Sequence, residues 1–291
     1  MAKFIAWNSQ PQEEWANRYA PGKLINLENR LTHYIEKGEG EPVVLLHGFG
    51  SDSFTWHNNI DALAQIFKVY AVDLWGCGYS TRELLDYSYP LYAHQLQLFM
   101  DALGISRASL IGQSMGGGTI IKFTTENRDR VKSIILVCAS GMPYKPILVQ
   151  RLLAMPVLGE LLLNLPTDSV RKMIIKRVYL YQKQISSEYF SGLTWSQKIR
   201  GSNATYLKIA RLKFFHTLER EIHQMAEMGV PSLIMWGRHD KGIPLRLGRE
   251  MNQIIKGSEL EIFENSGHEP HDEESGKFNQ IALNFLIGGR T

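Results

Sequence analysis

The chain has 291 residues, 44% of them hydrophobic and 21% charged, with 25 Gly, 11 Pro and 2 Cys. That balance excludes collagen-like, disordered and disulfide-scaffold classes. Thirty-two Lys and Arg against 29 Asp and Glu leave +3, too even for a chain whose main partner is a nucleic-acid backbone.

Residues 1–10 carry Lys3 but no apolar stretch long enough for a signal peptide, so no export by that route is expected. Cys77 and Cys138 stand far apart in apolar settings, without the paired spacing of a metal site, and a reducing, cytoplasmic compartment is expected. Residues 43–46, 69–72, 109–111 and 133–137 are short aliphatic and β-branched runs that read as buried strands. Between them, residues 92–103 read as a helix with Leu96, Phe99, Met100 and Leu103 on one face, and residues 117–127 as a helix leaving a Gly-rich turn.

From Gly141 to His223 the strand rhythm stops. The pattern there is helical, punctuated by Pro143, Pro146, Pro156 and Pro166. Residues 146–166 are the most apolar long stretch, but Arg151, Pro156, Glu160 and Asn164 interrupt it, which makes a poor membrane span. Strand-like runs resume at 232–235 and 259–263. Alternating strands and helices predict a mostly parallel sheet with helices on both faces. A helical stretch between two strands of one sheet predicts a cap above the edge where the strands end. The expected organisation is a core over residues 1–140 and 229–291 with a cap over 141–228.

The charge is unevenly placed. Residues 141–221 hold 13 Lys and Arg against 5 Asp and Glu, or +8, and the rest of the chain 19 against 24, or −5. Ile147, Leu148, Leu152, Leu153, Met155, Val157 and five further leucines give the same region an apolar surface. That surface suits either lining a pocket or packing cap on core. Beside basic residues, it also suits peripheral contact with an anionic membrane.

The sharpest chemical signal is Gly112-Gln113-Ser114-Met115-Gly116, entered by strand character and left by a helix, the setting of a nucleophile elbow. Glycines at 112 and 116 remove side chains that would collide in so tight a turn. A serine hydroxyl needs a base. His268 follows the last strand in Asn265-Ser266-Gly267-His268, with His271 as its competitor. A carboxylate must hold the imidazole, and Asp240 closes the run after residues 232–235, which puts Ser114, Asp240 and His268 in the chain order of this architecture. Glu269 and Asp272 are too near His268 in sequence to orient it easily. The backbone N–H groups of Phe49, in His47-Gly48-Phe49-Gly50, and of Met115 are the candidate oxyanion donors. His47 reads as a brace of its loop. No histidine or carboxylate cluster with ligand spacing supports a metal, and no cofactor is expected.

With these residues in hand, the sequence resembles the α/β-hydrolase superfamily, in its capped branch of esterases, carbon–carbon bond hydrolases, epoxide hydrolases, dehalogenases and cofactor-free haloperoxidases. The matching motifs are His47-Gly48-Phe49-Gly50, Asp73-Leu74-Trp75-Gly76-Cys77-Gly78-Tyr79-Ser80, Gly112-Gln113-Ser114-Met115-Gly116-Gly117, Trp236-Gly237-Arg238-His239-Asp240 and Gly267-His268-Glu269-Pro270-His271. The resemblance implies an eight-stranded, mostly parallel sheet, nucleophile Ser114, acid Asp240, base His268, oxyanion donors at Phe49 and Met115, and Cys77 as a small buried residue. Dehalogenases and epoxide hydrolases carry Asp at the elbow, so Ser114 points away from them. The aromatic residue that often follows the histidine in meta-cleavage-product hydrolases is replaced by Glu269. The first expectation is therefore hydrolysis of a small apolar carboxylic ester through an acyl-enzyme. The alternatives are a carbon–carbon bond hydrolase of the meta-cleavage-product type, a slow-turnover ligand receptor on the same fold, and perhydrolysis.

Overall fold

The computed structural model describes residues 5–144, 148–165, 167–180, 185–211 and 217–288. Pro146, Ile147 and Pro166 lie outside them. The sheet is built from β1 (Lys23–Leu27), β2 (Arg30–Lys37), β3 (Pro42–Leu46), β4 (Lys68–Val72), β5 (Ala108–Gln113), β6 (Val131–Val137), β7 (Ser232–Gly237) and β8 (Glu259–Phe263). Its spatial order is β1-β2-β4-β3-β5-β6-β7-β8. β1 pairs antiparallel with β2 and β2 with β4, and every later pairing is parallel.

The continuous aliphatic runs follow from burial on both faces of the sheet. In β3, Val43 and Leu45 pack with Trp56, Leu63, Phe67 and Phe278, whereas Val44 and Leu46 face Phe99, Met100, Ile120 and Phe123. Each such side chain contributes roughly 1.5–3 kcal/mol on burial. β1 and β2 escape the sequence pattern because β1 is largely exposed and β2 buries polar Thr32 and His33 among its apolar positions. His33 is there to hold Asp73, Nδ1 to Oδ2 at 2.7 Å.

The helices are α1 (Gln12–Tyr19), α2 (Ile60–Leu63), α3 (Tyr89–Ala102), α4 (Met115–Glu126), α5 (Leu148–Ala154), α6 (Leu158–Leu163), α7 (Ser169–Val178), α8 (Ser187–Thr194), α9 (Ser202–Arg211), α10 (Glu219–Glu227), α11 (Leu245–Ile254), α12 (Pro270–Glu273) and α13 (Ser275–Gly288). α3 starts three residues before the expected Tyr92, and its first residue, Tyr89, is already buried in the core. Ser88 caps it by accepting from Leu91 N, and Pro90 is tolerated in the first turn. Helices α5 to α10 all lie between β6 and β7. α10 returns to the core, with Ile222 and Met225 in the cluster that holds Ile121.

The apolar run after residue 147 divides differently from either expected use. Leu153 and Leu163 are buried, but Leu148, Leu152, Met155, Val157, Leu161 and Leu165 are exposed. Within short helices separated by the Pro156 turn, only one side of each can face inward. No described helix is long and apolar enough to cross a membrane.

Candidate active site

The sheet order reverses at β3, which has β4 on one side and β5 on the other. Loops leaving neighbouring strands in opposite directions open a crevice there. Ser114 follows β5 and precedes the first residue of α4 with φ +50° and ψ −111°, a conformation that costs a non-glycine residue energy unless its surroundings hold it. Ser114 N donates to Val137 O at 2.9 Å, and its carbonyl accepts from Gly118 N at 3.1 Å, Ser140 N at 3.0 Å and Ser140 Oγ at 2.9 Å. A Cβ on Gly112 would stand 2.5 Å from the Gly116 carbonyl carbon, and one on Gly116 would stand 2.3 Å from Leu46 O. Both glycines are therefore required for α4 to press against β3 and β5.

His268 and Asp240 meet on the neighbouring loops. His268 Nδ1 lies 2.7 Å from Asp240 Oδ2, and Oδ1 of the same carboxylate accepts from Gly242 N at 2.7 Å and Ile243 N at 2.8 Å. Burial disfavours the charged imidazolium, but Asp240, with Glu269 and Glu273 behind it, outweighs this and raises His268 to about 9. Ser114 and His268 line one cavity. No hydrogen bond joins them among the described residues, and such contacts commonly tighten only around substrate. Cys138, at φ +43° just past β6, places its Sγ within 4.8 Å of the facing Asp240 and His268 ligand atoms. Burial, with the Asp240 charge beside it, raises its thiol well above the ordinary range, so it is a neutral neighbour of that pair.

Phe49 and Met115 stand where the loop after β3 and the start of α4 approach Ser114. The Phe49 loop is fixed from both sides. His47 Nδ1–H donates to Gly48 O at 2.8 Å while Nε2 accepts from Leu74 N at 2.9 Å, so His47 is a brace. The Asp73 motif has a similar purpose: its carboxylate accepts from Ser53 N at 2.7 Å and Tyr79 N at 2.8 Å, and Ser80 Oγ donates to its carbonyl at 2.7 Å. Cys77 is buried, which pushes its thiol up to about 12. From the inserted segment, Tyr206 of α9 stacks on Phe49 with ring centroids 4.4 Å apart, Gln197 Nε2 donates to Gly50 O at 3.3 Å, and Ser196 Oγ donates to Asp52 at 2.6 Å.

The same segment roofs the cavity with Leu153, Leu163, Arg171, Ile174 and Tyr206. It is tied to the histidine loop, since His268 N donates to Val178 O at 2.9 Å and Leu180 N to Glu273 Oε2 at 2.7 Å. His271 is buried outside the cavity lining, bonded to Thr55 Oγ1 at 3.0 Å. Burial lowers it to about 4, so it is neutral.

Two cavity residues escaped the sequence reading. Arg171 is only 4% exposed. It donates to Gln197 Oε1 at 2.9 Å, Leu163 O at 3.3 Å and Asn203 Oδ1 at 2.8 Å, and stacks 3.9 Å from the Trp7 ring. No carboxylate forms an ion pair with it among the described residues, and burial lowers it to about 10. Nothing in a basic helical stretch marks which Arg turns inward. Glu269 lines the cavity beside His268, and its only sequence signal is its departure from the aromatic residue expected there.

Comparison with known proteins agrees with this fold. The family model described as alpha/beta hydrolase fold matches residues 41–275, most of the chain and every strand from β3 to β8. The chain belongs to the α/β-hydrolase fold family. Within this family it is 31% identical over 283 residues to the 2-hydroxy-6-oxo-6-phenylhexa-2,4-dienoate hydrolase of Comamonas testosteroni, covering 93% of this chain and 96% of the relative. It is 29% identical over 263 residues to a 2-hydroxy-6-oxononadienedioate/2-hydroxy-6-oxononatrienedioate hydrolase of a Pseudomonas species, covering 89% and 92%. The fold is similar to that of the meta-cleavage product hydrolase CumD from Pseudomonas fluorescens IP01, at TM-score 0.81 and 24% identity over 92% of this chain and 98% of that one. The chain is an α/β-hydrolase, and these relatives are named as hydrolases of 2-hydroxy-6-oxo compounds rather than esterases, so the preference for esters that Glu269 suggested is unsupported.

Proposed function

We propose that the chain hydrolyses a carbon–carbon bond in a carboxylate-bearing vinylogous diketone of the 2-hydroxy-6-oxo-dienoate class, with residues 141–228 as the cap over its site. The observation that carries this reading is Arg171. A buried guanidinium without a carboxylate partner among the described residues, on the wall of the cavity that holds Ser114, leaves an electrostatic demand that an anionic substrate meets and a neutral ester does not. The names of the relatives from Comamonas and Pseudomonas support it, because both are hydrolases of anionic dienoates.

In the proposed reaction His268 takes the proton of Ser114 as Oγ adds to the 6-oxo carbonyl, and the N–H groups of Phe49 and Met115 hold the oxyanion. Once the 2-hydroxy proton has moved to the carbon beside the attacked carbonyl, giving the 2-oxo tautomer, the bond between these two carbons breaks, its electron pair passes through the enone to the 2-oxygen, and that oxygen takes the proton from His268. Water, deprotonated by His268, attacks the acyl-enzyme, and Ser114 regains its proton.

The test is loss of the coloured dienolate under multiple-turnover conditions, which also separates an enzyme from a slow receptor. Arg171→Met is expected to lower kcat/KM for the phenyl dienoate about 10- to 100-fold, chiefly through KM, and to leave the neutral p-nitrophenyl butyrate within a few-fold. No dienoate turnover by the wild type, with esters cleaved, would sink the carbon–carbon reading. Equal loss on both substrates would remove Arg171 from substrate recognition.

The exposed apolar face of α5 and α6, with Val157 69% and Leu161 62% exposed, supports peripheral docking of this basic segment on anionic lipid. Sedimentation with phosphatidylserine vesicles, reduced in Val157→Glu/Leu161→Glu, is the expected result. A wild type left in the supernatant rejects it.

A further inference from the structure

The Ser114 cavity is lined by an acidic side chain, Glu269. Glu269 follows His268 directly and is 8% exposed. Its Oε1 is held by Gln113, the residue before Ser114, Nε2 to Oε1 at 3.4 Å, and the same Nε2 donates to His268 O at 3.2 Å. Its Oε2 is buried without a hydrogen-bond partner. His271 Nε2 is 3.6 Å away, beyond hydrogen-bond length and engaged by Thr55. A buried carboxyl oxygen left unpaired is costly unless something else enters to satisfy it.

We propose that Glu269 is a protonated hydrogen-bond donor of the substrate site, receiving an acceptor oxygen that the substrate carries near its scissile carbonyl. The inference rests on Ser114 and His268 being the reacting centre, and not on which bond they cleave. It makes the cavity selective for a substrate with an additional keto, hydroxyl or carboxylate oxygen beside the attacked carbonyl. A purely aliphatic acyl chain leaves the carboxyl unpaired.

The protonation state follows from the surroundings. Burial pushes Glu269 up to about 8; His268 opposes this, while Asp272, Glu273 and Asp240 add to it. The remaining groups that face it are His271 from α12, Cys138 past β6, and Tyr179 and Tyr189 from the inserted segment. Among these, His271 and Cys138 are held neutral, and no Lys or Arg contacts the carboxyl among the described residues. Near neutral pH it carries its proton and can donate.

The test compares p-nitrophenyl 4-oxopentanoate with p-nitrophenyl pentanoate, which differ by one keto oxygen. Taking the ratio of the two kcat/KM values cancels everything both esters need, including the titration of His268. For wild type the ratio is expected to be constant near neutral pH and to fall above about pH 8, as Glu269 ionises and stops donating. Glu269→Gln keeps a donor that cannot ionise, so its ratio is expected to stay within about three-fold of wild type and not fall in alkali. Glu269→Leu is expected to lower the ratio about ten-fold. A ratio unchanged in Glu269→Leu, or a Glu269→Gln variant whose ratio still falls in alkali, overturns the proposal. If Glu269→Leu does not fold, the Gln variant decides. Lack of turnover of the phenyl dienoate would defeat the carbon–carbon reading while leaving the ester ratio, and with it Glu269, still measured.

Discussion

Ser114→Ala is expected to lower kcat by about three orders of magnitude or more on every substrate that the wild type turns over. The change deletes one oxygen and leaves its setting intact. The strained backbone at φ +50° is held by hydrogen bonds through Ser114 N and O to Val137, Gly118 and Ser140, none of which uses the side chain. Alanine accepts the same backbone at a similar cost, so the thermal midpoint is expected to stay within a few degrees. The hydroxyl is the group placed in the crevice at the switch in strand order, and without it no acyl-enzyme forms. Steady-state assays with the dienoate and the esters, together with fluorophosphonate labelling of wild type and variant, check this. Undiminished turnover in the variant would remove Ser114 as nucleophile, and with it the proposed mechanism.

Asp240→Asn is expected to cost about 10⁴-fold in kcat, the scale on which a mis-set imidazole tautomer is felt in other serine hydrolases. Asp240 satisfies three donors, Gly242 N, Ile243 N and His268 Nδ1–H. An amide has one oxygen, so it either turns its NH2 toward two backbone N–H groups or toward Nδ1. The second arrangement forces the proton to Nε2, which then cannot accept from Ser114. The pH behaviour carries a separate signature. His268 stands raised from 6.5 to about 9 despite its burial, chiefly because of Asp240. Only the neutral ring is a base, so wild-type kcat/KM is expected to climb with pH toward 9, and losing the carboxylate moves that limb downward. The raised value also belongs to stability: the pair's contribution is complete below about pH 6.5 and is lost as pH rises through about 9. Thermal midpoints measured across that window should decline in wild type and much less in Asp240→Asn. A variant with wild-type kcat would exclude Asp240 from the reaction.

Much of the site is legible in the chain because its constraints are local. Gly112 and Gly116 flank Ser114 at the spacing that a strand-to-helix turn demands, and the clashes a Cβ would meet there, with Gly116 and Leu46, are the reason no other residue serves. Asp240 comes three residues after the fully buried β7 and His268 five residues after the half-buried β8, and position after a strand is readable from the strand-like run before it. Ala108–Gln113 and Ser232–Gly237 are buried along their whole length, which is why those runs are unambiguous. β1 and β2 were not legible: one is mostly exposed, and the other buries His33 for the sake of Asp73, so neither shows an apolar period.

The inserted helices mark the boundary of what periodicity can tell. Their leucines announce helices without saying which side faces in, and Leu153 is buried while its neighbour Leu152 is exposed. The charge surplus of the segment likewise conceals Arg171, a guanidinium buried in the cavity wall. Arg171 and Lys172 are adjacent and alike in sequence, yet the first is buried against Trp7 and Gln197 and the second is exposed.

By itself the sequence determined the sheet's parallel core, the strained serine after β5, and the order in which Ser114, Asp240 and His268 occur. These depend on contacts between residues close in the chain or on burial along a single strand. Only the tertiary structure decided that, among the described residues, Arg171 lines the cavity without an acidic partner and Glu269 turns inward with one oxygen unpaired, and that the inserted segment holds the Phe49 loop through Ser196, Gln197 and Tyr206. Those outcomes depend on which surfaces meet across long sequence separations, and desolvation acts on a charge only once such surfaces have closed around it.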